Sequence, residues 1–113
     1  MPAPLTEFRC LEMMPVRWSD EAGNPHCECA VLHEIGSGCG LFQTDQPAAP
    51  GTAVRIQLPQ QEISGVVESC EPDESGYILG VSIDSPQEWL EGRYRPSVLI
   101  PLTGNDLDLP MAS

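Results

Sequence analysis

The sequence contains no lysine, and its five arginines face seventeen acidic residues, which gives a formal net charge of −12. Nonspecific binding to nucleic acid or to an anionic membrane depends on cations that neutralise phosphate groups. This chain has few of them, so the composition excludes a nucleic-acid-binding function. An anionic small ligand is compatible with the composition, because two or three arginines can converge on one site whatever the net charge.

Long apolar stretches are also missing. No run of about eighteen apolar residues occurs, and the first ten residues, MPAPLTEFRC, lack the basic and apolar regions of a secretory signal. We therefore expect a cytoplasmic protein without membrane insertion. The five cysteines are odd in number and irregularly spaced, which favours reduced, mostly buried thiols over a disulfide framework.

What the sequence does contain is a series of short β-like runs, separated by turn-forming residues at intervals of about ten. The clearest run, TAVRIQL, predicts a strand with Val54, Ile56 and Leu58 pointing inward. Gly65 and Gly80 interrupt two later runs and predict bulges or sharp coiling. This pattern predicts an all-β fold, a six-stranded antiparallel barrel.

One segment has the features of a helix. Ser85 offers an N-cap, Pro86 suits the first helical position and Gly92 suits the end, so we expect a short C-terminal helix near 86–91. Trp89 and Leu90 would dock it on the barrel. We expect residues 1–102 to form this single domain and residues 103–113 to form an acidic flexible tail.

The cysteines and histidines do not predict catalysis or a metal site. The pair Cys27 and Cys29 adjoins His26, but in the middle of a strand the two thiols would face one way and the imidazole the other. We therefore expect these thiols to be part of the core. Cys39 and His33 lack a recognisable oxyanion hole or orienting group. The sequence predicts a protein that is not an enzyme and binds no metal or cofactor.

The segment HEIGSGCGLFQ, residues 33–43, has three glycines within five residues. Glycines permit positive φ angles and the close approach of a ligand or of another strand. A ligand-holding loop and a tight connection between two strands require the same residues, so both interpretations stay open at this point.

Five segments in order resemble the PilZ domain family, bacterial receptors for cyclic di-GMP. They are RCLEMMPVRW, CAVLHEIGSGCGLF, PAAPGTAVRIQL, SGVVESC and YILGVSID, and they lie between Leu5 and Leu102. The resemblance implies a six-stranded antiparallel barrel with a C-terminal helix. It also implies a nucleotide site made by an RxxxR motif before the first strand and a [D/N]xSxxG motif after the second.

The chain departs from both motifs. Arg9 occupies the position of the second motif arginine, and Leu5 replaces the first. The second motif aligns in two registers, for which the corresponding residues are Glu34, Gly36 and Cys39, or His33, Ile35 and Gly38. Neither register has the full polar set. One lost bidentate arginine contact costs about 2 to 5 kcal/mol when it is buried against a charge.

From these departures we expect a degenerate PilZ-like signalling adaptor that acts through contacts with an unidentified protein partner, without tight binding of cyclic di-GMP. The alternative is a cyclic di-GMP receptor that uses Arg9 together with another arginine, Arg17, Arg93 or Arg95. In that case the resemblance places the ligand-binding residues at Arg9, His33, Glu34, Gly36 and Gly38.

Overall fold

The computed structural model describes Thr6, residues 8–84, Trp89 and residues 100–101. Its seven strands are β1 Phe8–Ser19, β2 Pro25–Gly36, β3 Cys39–Thr44, β4 Ala53–Gln57, β5 Glu62–Asp73, β6 Gly76–Ile83 and β7 Ile100–Pro101. Among these residues there is no helix, and hence none long and apolar enough to cross a membrane.

The first six strands close into an antiparallel barrel. Their order is β2, β3, β6, β5, β4, β1, and β1 also pairs with β2, which joins the two ends of the sheet. The seventh strand adds to the start of β1, where Ile100 lies opposite Arg9. The predicted all-β, six-stranded antiparallel barrel is therefore confirmed.

The core fills the inside of the barrel with alternate residues of the strands. Val54, Ile56 and Leu58 are buried, as the alternation in TAVRIQL predicts. On β2 the inward residues are Ala30 and Leu32.

The expectation of buried thiols at Cys27 and Cys29 is wrong, because both side chains are exposed. Ala30 and Leu32 define the buried face of this half of β2, and the two cysteines lie on the opposite face. His26 does point away from them, as expected, since its ring stacks on that of Trp18 with the centroids 5.3 Å apart.

The predicted helix near 86–91 and the predicted tail at 103–113 lie outside the described residues, except for Trp89. Trp89 is completely buried in the core, and its Nε1 donates a hydrogen bond to the carbonyl oxygen of Cys39, at 2.9 Å. The expected docking of Trp89 on the barrel is thus confirmed.

Glycines of the 33–43 segment do not have the positive φ angles that the sequence suggested. In the described part of the chain only Gly23, Gly51 and Gly76 have them. Gly40 is needed for space instead, because a Cβ atom there would lie 3.0 Å from Leu32 Cδ1 and 3.2 Å from the Trp89 ring.

A bulge lies next to Gly80, but it is in the partner strand β5 and not in β6, which contains this glycine. The register of β5 against β6 shifts between Val67 and Ser69, which lie opposite Val81 and Gly80 respectively. Gly65 lies at a close approach of strands, because its Cβ would come within 2.6 Å of the Ser82 carbonyl oxygen.

Gly76 closes the β5–β6 hairpin, and replacing it tests whether its backbone position tolerates a side chain. Its φ is +146°, and a Cβ atom would lie 2.2 Å from the carbonyl oxygen of Thr44. We expect Gly76→Ala to lower the free energy of unfolding by about 2 kcal/mol or more, since both strain and a backbone clash oppose it. Urea unfolding measures this change.

Gly23→Ala is the matched control, because Gly23 also has a positive φ, of 87°, but nothing lies within 4 Å of the position that its Cβ atom would take. This variant carries strain alone and should lose about 1 kcal/mol. Equal losses in the two variants would contradict the clash at Gly76.

The β1–β2 turn is organised by Asp20. Its carboxylate accepts hydrogen bonds from His26 Nε2 at 3.0 Å and from the amides of Asn24 and Ala22 at 2.8 and 3.0 Å. The bond from His26, followed by those from the backbone, lowers the pKa of Asp20 from 3.8 to about 2. The ionised carboxylate is therefore favoured in the folded state.

A carboxyl group with a lowered pKa contributes stability that is present above the unfolded-state value and is lost as the pH falls through the folded-state value. We expect Asp20→Asn to be less stable than wild type at pH 7, and we expect the difference to shrink between about pH 4 and pH 2. Chemical unfolding across this range measures it. Glu21→Gln, at an exposed neighbour, is the control, and a similar pH dependence in both variants would contradict the assignment to Asp20.

Candidate functional site

The outer face of the barrel carries an open groove of about 820 Å³, which crosses β1, β2, β3 and the β5–β6 hairpin. Polar and apolar side chains share its lining. The ones that matter for its chemistry are Arg9, Leu11, His33, Glu34, Leu41, Gln43, Asp73, Ile78 and Ile100.

Two irregularities in strand pairing shape the groove, and they meet at His33. The β1–β2 register shifts between Arg9 and Glu12, and the β2–β3 register shifts between Leu32 and Glu34. Leu32 and Ile35 are both completely buried, so the two residues between them face outward. The bulge therefore places His33 and Glu34 together in the groove, where regular alternation would separate them.

A chain of hydrogen bonds crosses the groove. His33 Nε2 donates to Gln43 Oε1 at 2.8 Å, and Gln43 Nε2 donates to Asp73 Oδ2 at 3.4 Å. On the other side of the bulge, Glu34 Oε1 accepts a hydrogen bond from Thr6 Oγ1 at 2.6 Å. The first two bonds link β2, β3 and the end of β5, and the third links β2 with the N-terminal segment.

Apolar side chains form the rest of the site. Leu41 and Ile78 are half-buried in the groove, whereas Leu11 is 67% exposed and Ile100 is 52% exposed. Met13, two residues along β1 from Leu11, is 66% exposed. We call Leu11, Met13 and Ile100 the β1 ridge. Leu41 lies on the outer face of β3, because Gly40 and Phe42 occupy the inward positions of the strand.

Of the arginines that the structure describes, Arg9 alone lines the groove, and it does so together with the carboxylates of Glu34 and Asp73. Arg17 is directed elsewhere, because it forms an ion pair with Glu62. Arg55 binds the same carboxylate at 3.1 Å. The hydrogen bond from Arg17, together with the one from Arg55, lowers the pKa of Glu62. Arg17 and Arg9 therefore do not converge on one site.

Of the residues predicted from the sequence, Arg9, His33 and Glu34 lie together in the groove. Gly36 and Gly38 lie at the β2–β3 connection instead, where Gly36 pairs with Cys39 and the Gly38 carbonyl accepts a hydrogen bond from Ile83 at 2.7 Å. These two glycines therefore hold the turn between strands. Arg93 and Arg95 lie outside the described residues.

Sequence reasoning missed Gln43, Asp73 and the β1 ridge. Gln43 and Asp73 reach the groove through long-range pairing of β3, β5 and β6, for which no local signal exists. The sequence did contain a signal for the ridge, because the run CLEMMPV has apolar residues on both faces that strand alternation creates. One set, Cys10 and Met14, is buried, and the other is exposed.

The thiol that borders the groove is unsuited to nucleophilic chemistry. Cys10 is buried and its Sγ donates to the carbonyl oxygen of Leu32 at 3.7 Å. Burial, together with the nearby carboxylates of Glu12 and Glu34, raises the pKa of Cys10 to about 11. The neutral thiol, a weak nucleophile, therefore predominates at neutral pH. In the residues described, no group of three or more His, Cys, Asp or Glu side chains could hold a metal ion.

A second cavity, of about 510 Å³, lies between the β1–β2 turn and the Pro/Ala loop at 47–50. Its charged lining residues are Asp20 and Glu21, and the described residues supply no cation to it. The indole nitrogen of Trp18, also in its wall, is buried and has no hydrogen-bond partner within the described chain. The groove, with Arg9 and the exposed ridge, is the better candidate for recognition.

The chain was compared with known proteins at the level of families, sequences and folds. No family model matches it, and neither a curated protein nor a solved structure does. The resemblance to PilZ domains therefore stays a hypothesis, which rests on the five sequence segments and is compatible with the closed barrel.

Proposed function

We propose that this chain is a degenerate PilZ-like adaptor domain that acts through protein contacts at the groove and the β1 ridge. The observation that carries the proposal is the exposure of Leu11, Met13 and Ile100, each more than half accessible on an otherwise acidic protein. Single exposed apolar residues are common on soluble proteins, whereas grouped ones mark interaction sites.

The three ridge residues are grouped by the strand pairing. Leu11 and Met13 are two residues apart on the outer face of β1, and Ile100 borders the same groove as Leu11. Leu41 and Ile78 extend this apolar surface into the groove. A partner that covers the ridge would remove several large side chains from water at once, and each fully buried one contributes about 1.5 to 3 kcal/mol.

The charges of the groove argue against tight binding of a dianionic nucleotide. Glu34 and Asp73 oppose Arg9, the single cation that the described residues supply to the groove. Two like charges about 6 Å apart repel by about 3 kcal/mol at an effective dielectric constant of 20. A phosphate attracted by Arg9 is thus repelled by two carboxylates, and Arg17 is paired with Glu62 and does not assist.

The second candidate is the cyclic di-GMP receptor, which one observation favours. Arg9, His33 and Glu34, three of the five ligand residues expected from the resemblance, line a single groove. Its volume of about 820 Å³ lies within the usual range for small-molecule sites.

Titration calorimetry with cyclic di-GMP separates the two candidates. For the adaptor we expect no binding tighter than about 10 µM, because one arginine faces two carboxylates. Low-micromolar or tighter binding to wild type that Arg9→Ala abolishes would establish the receptor instead. The same affinity in both proteins would reject the ligand role of Arg9.

The adaptor proposal makes a second prediction, about the ridge. We expect Leu11→Asp to weaken capture of the partner by about thirtyfold, since an interface residue of this kind contributes about 2 kcal/mol and a carboxylate would be buried in its place. The measurement is crosslinking in cells from a photoreactive residue at position 13, compared between wild type and variant.

Ala53→Asp is the matched control, because Ala53 is an exposed strand residue of β4 outside the groove and the ridge. It adds the same charge to the barrel surface and should leave the crosslinked species unchanged. Equal loss in the two variants, or no loss in either, would reject the ridge as the contact surface.

A further inference from the structure

The two ends of the groove differ in charge. At the β1 end, Arg9 lies directly opposite Glu34 of β2, so a cation and an anion balance each other there. Asp73 lines the groove at the other end, in the β5–β6 hairpin, three strands beyond Glu34 in sheet order. Arg9 is the single arginine that the described residues supply to the groove. The charge of Asp73 is therefore not balanced locally, and the groove is most negative at the hairpin.

Two further carboxylates add to this negative charge. Glu71 lies opposite Ile78, and it borders the groove because residues directly opposite each other on paired strands share one face of the sheet. Glu74 follows Asp73 in the hairpin turn, and all three carboxylates are exposed. Asp73 accepts a hydrogen bond from the uncharged Gln43 amide at 3.4 Å. An ionised carboxylate has about four acceptor positions, so Asp73 can also bind a cation. We call Glu71, Asp73 and Glu74 the hairpin carboxylates.

Apolar side chains line the groove between its two ends. Leu11 and Leu41 belong to β1 and β3, and Ile78 belongs to β6, beside the hairpin carboxylates. From β1 to β5 the sheet spans four strand spacings of about 4.8 Å, which is about 19 Å. An extended peptide rises about 3.3 Å per residue, so about six residues cover this distance. A segment of that length can contact the apolar side chains and reach the hairpin carboxylates.

We propose, on the basis of the adaptor function above, that the partner covers the groove with a short segment that has apolar side chains along it and Lys or Arg residues at one end. The cationic end lies on the hairpin carboxylates, and the apolar side chains contact Leu11, Leu41 and Ile78. Burial of apolar surface supplies most of the binding energy. The charges fix the orientation of the segment and exclude acidic segments, because opposed like charges weaken an interface.

Charge also decides between the possible occupants of the groove. A second copy of the chain would bring a formal net charge of −12 to a negative surface. Residues 102–113 contain two aspartates and no arginine, and residues 85–99 contain two arginines balanced by two glutamates. Neither a second copy nor these segments supplies a net positive charge. A separate partner with a basic segment is therefore the occupant that complements the groove.

The test is selection from a library of random peptides of about twelve residues, displayed on phage, with the immobilised full chain as the target; this length is about twice what the groove requires. We expect the enriched peptides to combine apolar residues with Lys or Arg at one end. The most enriched peptide is then synthesised, and fluorescence anisotropy measures its affinity for wild type and for variants of the chain.

The double variant Glu71→Gln, Asp73→Asn removes two of the hairpin carboxylates. It should bind the peptide about tenfold more weakly, since each exposed charge pair contributes a factor of about two to five. The matched control is Glu21→Gln, Asp84→Asn, which changes the net charge equally outside the groove and should leave the affinity unchanged. The difference between the two double variants should nearly vanish in 1 M salt, where the screening length is about 3 Å.

Leu11→Asp separates failure of this partner chemistry from failure of the adaptor function. All the substituted side chains are exposed, and circular dichroism confirms that each variant is folded. Weaker peptide binding in Leu11→Asp, with none in Glu71→Gln, Asp73→Asn, would keep the adaptor surface and overturn the cationic segment. The reverse result would support the cationic segment and reject contact at the β1 ridge.

Three other results would overturn the proposal. The first is a selection that enriches no peptide, or peptides without Lys or Arg. The second is tighter peptide binding by an Arg93→Ala, Arg95→Ala variant, which would assign the hairpin carboxylates to the chain's own arginines. The third is release of a dimer by the peptide in analytical ultracentrifugation, which would assign the groove to a second copy of the chain.

Discussion

The double pairing of β1 is the constraint on which the rest of this structure depends. One edge of the strand pairs with β2 from Phe8 to Ser19, and the other pairs with β4 and, at its start, with β7. Without the β1–β2 pairing the sheet would have two open edges and its core would lack one wall. Closure encloses a core in which Leu32, Ile56 and Leu79 are completely buried.

Closing the barrel also makes the strand pairing irregular in places, and the groove forms where these irregularities lie. β1 and β2 are long strands that curve around a small core, and their registers shift where they curve. The shift at His33 turns two consecutive side chains outward, and the pairing of β3 with β6 brings Gln43 and Asp73 to the same place. The candidate site is therefore a product of barrel geometry more than of any local motif.

The local sequence pattern was sufficient to predict the barrel, but it did not predict for every strand which face is buried. Strand alternation predicted the burial of Val54, Ile56 and Leu58, because one face of that run is purely apolar. On β2 both faces carry small or apolar residues, so alternation alone did not decide that Cys27 and Cys29 are exposed. Arg9, His33 and Glu34 were grouped through the family resemblance, whereas Gln43 and Asp73 depend on contacts between distant segments.

The two tryptophans of the chain lie at opposite ends of β2. Trp18 stacks on His26 beside the first turn, and the indole N–H of Trp89 donates a hydrogen bond to the carbonyl oxygen of Cys39 beside the second turn. Both rings are buried, so each emits from an apolar environment of its own. Fluorescence of single-tryptophan versions would consequently report on the two ends of the barrel separately, and would show whether they open together or in sequence.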